Sequence, residues 1–150
     1  MQFAKTKGLL IFTCLFAALL MAWGFWRKSD EVKRAALGAA VIVALLTIPT
    51  YLTGEPAWEG IMDVPGDNDA FVTAHQSAAQ FAFGASALTG VVALVALWQS
   101  RAQRVVPPKL SGAVLILLLA TGGLMSWVAN LGGMIRHTEI RATEAVESKG

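Results

Sequence analysis

Only 15% of this 150-residue chain is charged, and it contains a single cysteine and two histidines. The lone Cys14 excludes an internal disulfide and, sitting inside an apolar run, says nothing about the redox compartment. No glycine-rich nucleotide loop, cysteine pair, hydrolase elbow or internal repeat is present. No nucleophile and base occur as a set, which argues against substrate turnover. The twelve basic residues stand at the ends of apolar blocks rather than in one patch, and with a net charge of +2 they point away from nucleic acid.

What the chain has instead is apolar length. It is 55% hydrophobic with a mean hydropathy of +0.58, too apolar for an ordinary soluble domain. Four blocks stand out: Gly8 to Trp26, Ala35 to Leu52, Phe71 to Trp98 and Leu110 to Ile135. Each supplies the roughly 20 residues that carry a helix across about 30 Å of hydrocarbon. A bilayer accepts only internally hydrogen-bonded segments, so these blocks read as helices. The expectation is all-α: an integral membrane four-helix up-down-up-down bundle forming a single domain over 1–150. The first block resembles a secretory signal in following Lys5 and Lys7, but it ends in "WGFWRKSDE". Trp23, Phe25 and Trp26 suit an interfacial aromatic belt better than a small-residue cleavage site, so the block reads as a retained helix.

The connections sort by charge. "RKSDEVKR" and "QSRAQRVVPPK" hold seven of the twelve basic residues: Arg27, Lys28, Lys33, Arg34, Arg101, Arg104 and Lys109. The middle connection, "TGEPAWEGIMDVPGDNDA", has no Lys or Arg but carries Glu55, Glu59, Asp63, Asp67 and Asp69. The positive-inside rule then places both short loops in the cytoplasm and both termini outside. Lys5, Lys7, Arg136, Arg141 and Lys149 count against that orientation. Pro107 and Pro108 mark the break before the last helix, and "EPAWEG" reads as a short extramembrane helical turn between helices two and three.

Within this layout the two histidines come level. His75 precedes the strongly apolar part of helix three by six residues, and His137 follows that of helix four by six. At about 1.5 Å per residue both sit roughly 9 Å beyond those marks, on the same side. At helical spacing His75 shares a face with Ala78, Ala82, Ala85, Ser86, Thr89 and Ala93, and His137 shares one with Gly133, Asn130 and Ser126. Small faces suit close helix packing and equally leave room for a flat cofactor. Ser126 and Asn130, polar at membrane depth, argue for an interior-facing site. Glu55 and Glu59 are one helical turn apart, and Glu139 lies two residues past His137. Imidazole ligates haem iron and divalent metals, a carboxylate orients the ring, and Arg136 is placed to hold a haem propionate.

The stretches "YLTGEPAWE", "AHQSAAQFA" and "LGGMIRHTEI" resemble a family of bacterial four-helix membrane proteins whose domain has no assigned function. The resemblance spans about Ala35 to Arg141 and rests most on "TGEPA" and "GG-x-IRH-x-E". Matching positions are Gly54, Glu55, Pro56, Glu59, His75, Gly132, Gly133, Arg136, His137 and Glu139. Some relatives are fused to, or lie beside, Rieske iron–sulfur domains, which implies a redox setting. Relatives often carry further acids where Trp58 and Gln76 stand here, a departure that weakens a dimetal site more than a haem site.

Three readings follow. In the first, haem b sits between His75 and His137, with Gly132 and Gly133 allowing close approach of the macrocycle and Arg136 beside it, and electrons pass to or from an iron–sulfur or cytochrome partner. In the second, His75, His137, Glu55, Glu59 and Glu139 hold Zn, Fe or Mn. In the third, the bundle is a cofactor-free scaffold subunit of a larger membrane complex.

Overall fold

A computed structural model describes residues 2–52, 69–103 and 105–136, with side chains over 8–52, 73–102 and 105–131. Four helices run through them: α1 (Gln2–Trp26), α2 (Asp30–Leu52), α3 (Asp69–Gln103) and α4 (Pro108–Arg136). Each extends past its apolar block. Much of "RKSDEVKR" belongs to α2 rather than to a connection, and "QSRAQ" continues α3. The region of the expected turn at "EPAWEG" lies outside the described residues.

Three residues suffice to reverse the chain between α1 and α2. Lys28 takes a left-handed φ of 52°. Its N–H bonds the Phe25 carbonyl at 3.2 Å and the Ser29 N–H bonds the Gly24 carbonyl at 3.0 Å, the paired bonds of a Schellman cap. Ser29 then opens α2, its hydroxyl accepting from the Val32 N–H at 3.4 Å. Asp30 and Glu31 follow in the first turn, where the helix dipole favours negative charge. At the other end Pro108 starts α4, where its missing N–H costs nothing.

Asp30 ties the two short connections together. One carboxylate oxygen takes the Lys33 ammonium at 3.1 Å, and the other accepts from the Val106 N–H at 3.4 Å. Arg34 reaches across to the Ser100 carbonyl at 3.4 Å. The interior beside this clasp is tight: a side chain on Gly24 would meet Lys33 Cγ at 2.8 Å.

Small residues fill the interior. Cys14, Ala17, Ala18 and Met21 of α1 meet Ala36, Leu37, Ala40 and Val43 of α2. Ala82, Ala93 and Ala96 of α3 join Val114, Leu118 and Met125 of α4. On α3 the buried positions recur every three or four residues from Ala78 to Ser100, which places them along one face of the helix. Many of the large apolar side chains point outward instead, with Phe12 74%, Leu19 70% and Phe81 70% exposed. That inversion of the soluble pattern suits lipid, which makes no demand that Leu and Phe be hidden. By length and composition all four helices are able to cross a bilayer, over 19, 23, 30 and 24 residues. The chain is a multi-pass membrane bundle.

Hydroxyls join neighbouring helices. Thr47 donates to the Val43 carbonyl at 2.7 Å, so in its 3.0 Å contact with Ser86 the serine donates. Thr89 likewise donates to the Ala85 carbonyl at 2.7 Å, leaving Thr121 to donate across 3.1 Å to it. The Cys14 thiol donates to the Leu118 carbonyl at 3.1 Å, linking α1 to α4. The helices thus form a ring in which α1 touches α2 and α4, and α3 touches α2 and α4.

These contacts also fix the heights of the helices. Arg34 with Ser100, Thr47 with Ser86, and Tyr51 stacked on Phe83 at 4.7 Å all set one antiparallel register between α2 and α3. In it Leu52, the last residue of α2, stands level with Ala82. The first thirteen residues of α3, 69–81, therefore project past α2 by about 20 Å at 1.5 Å per residue. The Thr89–Thr121 pair carries α4 alongside that projection, with Arg136 level with Ala74.

Candidate functional site

His75 belongs to the projecting part of α3. Counting back from Ser100 through Ala96, Ala93, Thr89, Ser86, Ala82 and Ala78, all buried, the next position on the stripe is His75. It is half-buried with Nδ1 shielded from solvent, whereas Ala74, Gln76 and Ser77 around it are exposed. The imidazole thus continues the interior face of the bundle, as its spacing from Ala78, Ala82, Ser86 and Thr89 suggests. Beneath it the Ser77 hydroxyl bonds the Thr73 carbonyl at 2.9 Å, within the helix itself.

The register places His75 level with Ile135 near the end of α4. Gly132, Gly133 and Arg136 lie in the last turns of that helix. Two of them, Gly132 and Arg136, fall on the helical face that Leu118 and Met125 occupy in the core. Gly133 falls on the flank. His137, Glu139, Glu55 and Glu59 lie outside the described residues. Among the described residues, no three His, Cys, Asp or Glu side chains come together as a metal site.

One expectation needs correction. Ser126 and Asn130 do not face the interior; both are exposed. The buried face of α4 runs through Ser111, Val114, Leu118, Thr121 and Met125, and Ser126 lies beside it rather than on it. Ser126 satisfies its hydroxyl within its own helix, on the Gly122 carbonyl at 2.8 Å, so it needs no interior partner.

Sequence spacing alone does not single out the residues that join the helices: Thr47, Thr89, Thr121, Cys14 and the Asp30 clasp. A signal is present, since Ser86 and Thr89 occupy a stripe otherwise made of alanine. What spacing lacks is the register that supplies partners from α2 and α4.

Compared with models of protein families, with curated proteins and with solved structures, the chain matches none.

Proposed function

We propose that the protein is a membrane redox module that binds haem b between His75 and His137. The observation that carries this reading is the placement of His75. It continues the interior stripe of α3, with a shielded Nδ1, on the projection beyond α2. Small residues adjoin it along that face, and Gly132 and Arg136 of α4 fall on the facing side at similar height, so the residues present fit a flat anionic macrocycle. Haem, when bound, supplies one-electron transfer. The protein's part is to fix the imidazole, to keep water from the inward nitrogen, and to set a guanidinium beside the propionates.

In this reading the acidic connection between α2 and α3 faces outward, and the Asp30 clasp lies at the cytoplasmic side of a bacterial inner membrane. The redox partner is an iron–sulfur or cytochrome protein, in keeping with the family that the sequence motifs resemble. Protein purified from membranes and supplied with haem should show an intense Soret band and sharp bands on reduction. Metal analysis finding Zn, Fe or Mn without those bands would move the site to the carboxylate reading.

A second reading is favoured by α4 itself. Ser126 and Asn130, which share the helical face of position 137, are exposed. In that reading the bundle is a cofactor-free scaffold subunit of a larger membrane complex. The same spectrum separates the two, since a scaffold absorbs nothing in the visible.

A further inference from the structure

We propose that the end of the bundle opposite the histidines binds anionic phospholipid headgroups, with Arg27, Arg101 and Lys109 as the phosphate-binding cations. The fold brings residues that are far apart in sequence to one end of the bundle, with α4, which carries Lys109, touching both α1 and α3. The Thr89–Thr121 register sets Arg101 of α3 level with Lys109 of α4. The contact between Cys14 and Leu118 brings Arg27, at the end of α1, to within about one helical turn of the same height. All three side chains are exposed.

Two features make this surface more than a set of solvated charges. First, its acid is already engaged. Asp30 is held by Lys33 and by the Val106 N–H, which leaves Glu31 as the exposed carboxylate among the described residues at this end. No described carboxylate lies within ion-pair distance of Arg27, Arg101 or Lys109. Second, an exposed indole stands on the bilayer side of two of the cations. Trp26, 79% exposed, immediately precedes Arg27, and Trp98, 74% exposed, lies one turn before Arg101. Trp26 is braced edge-on by Trp23, with ring centroids 5.9 Å apart.

Exposed tryptophans at the ends of apolar helices sit at headgroup level, where an amphipathic ring is most stable. Guanidinium groups just beyond them meet lipid phosphates, whose oxygens match the planar fork bidentately. A free phosphate ion would use the cations alone and draw nothing from the indoles. The combination fits a lipid. The proposal does not depend on the histidines.

The test is native mass spectrometry of the purified chain in a mild detergent, titrated with phosphatidylglycerol or with phosphatidylcholine. The wild-type chain should retain phosphatidylglycerol in preference, and raising salt from about 0.05 to about 0.5 M should erode that preference. Arg27→Gln, Arg101→Gln and Lys109→Gln should each lower it by roughly fivefold, and the triple variant by on the order of a hundredfold. Arg101→Lys should keep most of it. Equal retention of the two lipids by the wild type would overturn the proposal, as would selectivity that persists in a folded triple variant. Should the triple variant not fold, a wild-type preference indifferent to salt would overturn it equally. Displacement of the lipid by millimolar inorganic phosphate would reassign the surface to a small anion.

Discussion

At Gly90 α3 lies close against α2, and an added Cβ would stand 2.5 Å from the Ala44 Cβ. Carbon atoms are at their best about 3.5–4.0 Å apart, so Gly90→Ala must part these helices by roughly 1 Å. The Thr47–Ser86 bond, 3.0 Å long and about one turn away, would stretch beyond hydrogen-bonding range. Overpacking costs about 1–3 kcal/mol, and the lost interhelical bond about 0.6 kcal/mol. Against these stands up to about 1 kcal/mol from the better helix propensity of alanine. The expected net loss is about 1–2 kcal/mol, read as a lower unfolding midpoint in mild detergent. Ala44→Gly removes the opposing methyl, so the double variant should recover about 1 kcal/mol or more relative to the sum of the single changes. Additive effects, or a Gly90→Ala protein as stable as wild type, would refute the packing argument.

Other outcomes follow from single features. Lys28 sits at φ 52° where glycine is at ease; Lys28→Gly should raise stability by about 0.5–1 kcal/mol in the same unfolding assay. Ser29→Ala removes the α2 cap and should lower stability by about 1 kcal/mol. Thr121→Val deletes the donor to Thr89 and should cost about 0.6 kcal/mol, where a loss above about 2 kcal/mol would mean a wider polar network. Pro65→Cys in a Cys14→Ser background should react with an impermeant reagent outside intact cells. Labelling only after permeabilisation reverses the orientation.

Most of the fold was legible because a bilayer leaves so few choices. Four apolar blocks of membrane-spanning length with basic short connections admit little besides an antiparallel helical bundle. Helix ends were less legible, since charge masks helicity: Asp30, Glu31, Lys33 and Arg34 look like loop until Ser29 is seen to cap them and Asp30 to reach Val106. The inward face of His75 could be read from spacing, because the alanine stripe of α3 is nearly unbroken. The face of α4 could not be read in the same way. Serine and glycine occur on both its sides, and only burial separates Thr121 and Gly122, which are enclosed, from Ser126 and Asn130, which are exposed. Polarity was a poor guide there because a serine can satisfy its hydroxyl on its own helix.

The reading of His75 and His137 as a shared ligand pair is tested most directly by one visible spectrum, taken on the wild type and on the histidine and glutamate variants, beginning with His75→Ala and His137→Ala, each purified from membranes with haem supplied. The wild type should show the Soret and reduced bands of haem b. Each histidine variant should lose them to the same extent while keeping its helical circular dichroism, and the double variant should lose nothing more, because one ligand alone does not hold the site. Glu55→Ala and Glu59→Ala should leave the bands largely in place. Wild-type protein that stays colourless in the presence of haem, or folded histidine variants with undiminished bands, would contradict the account.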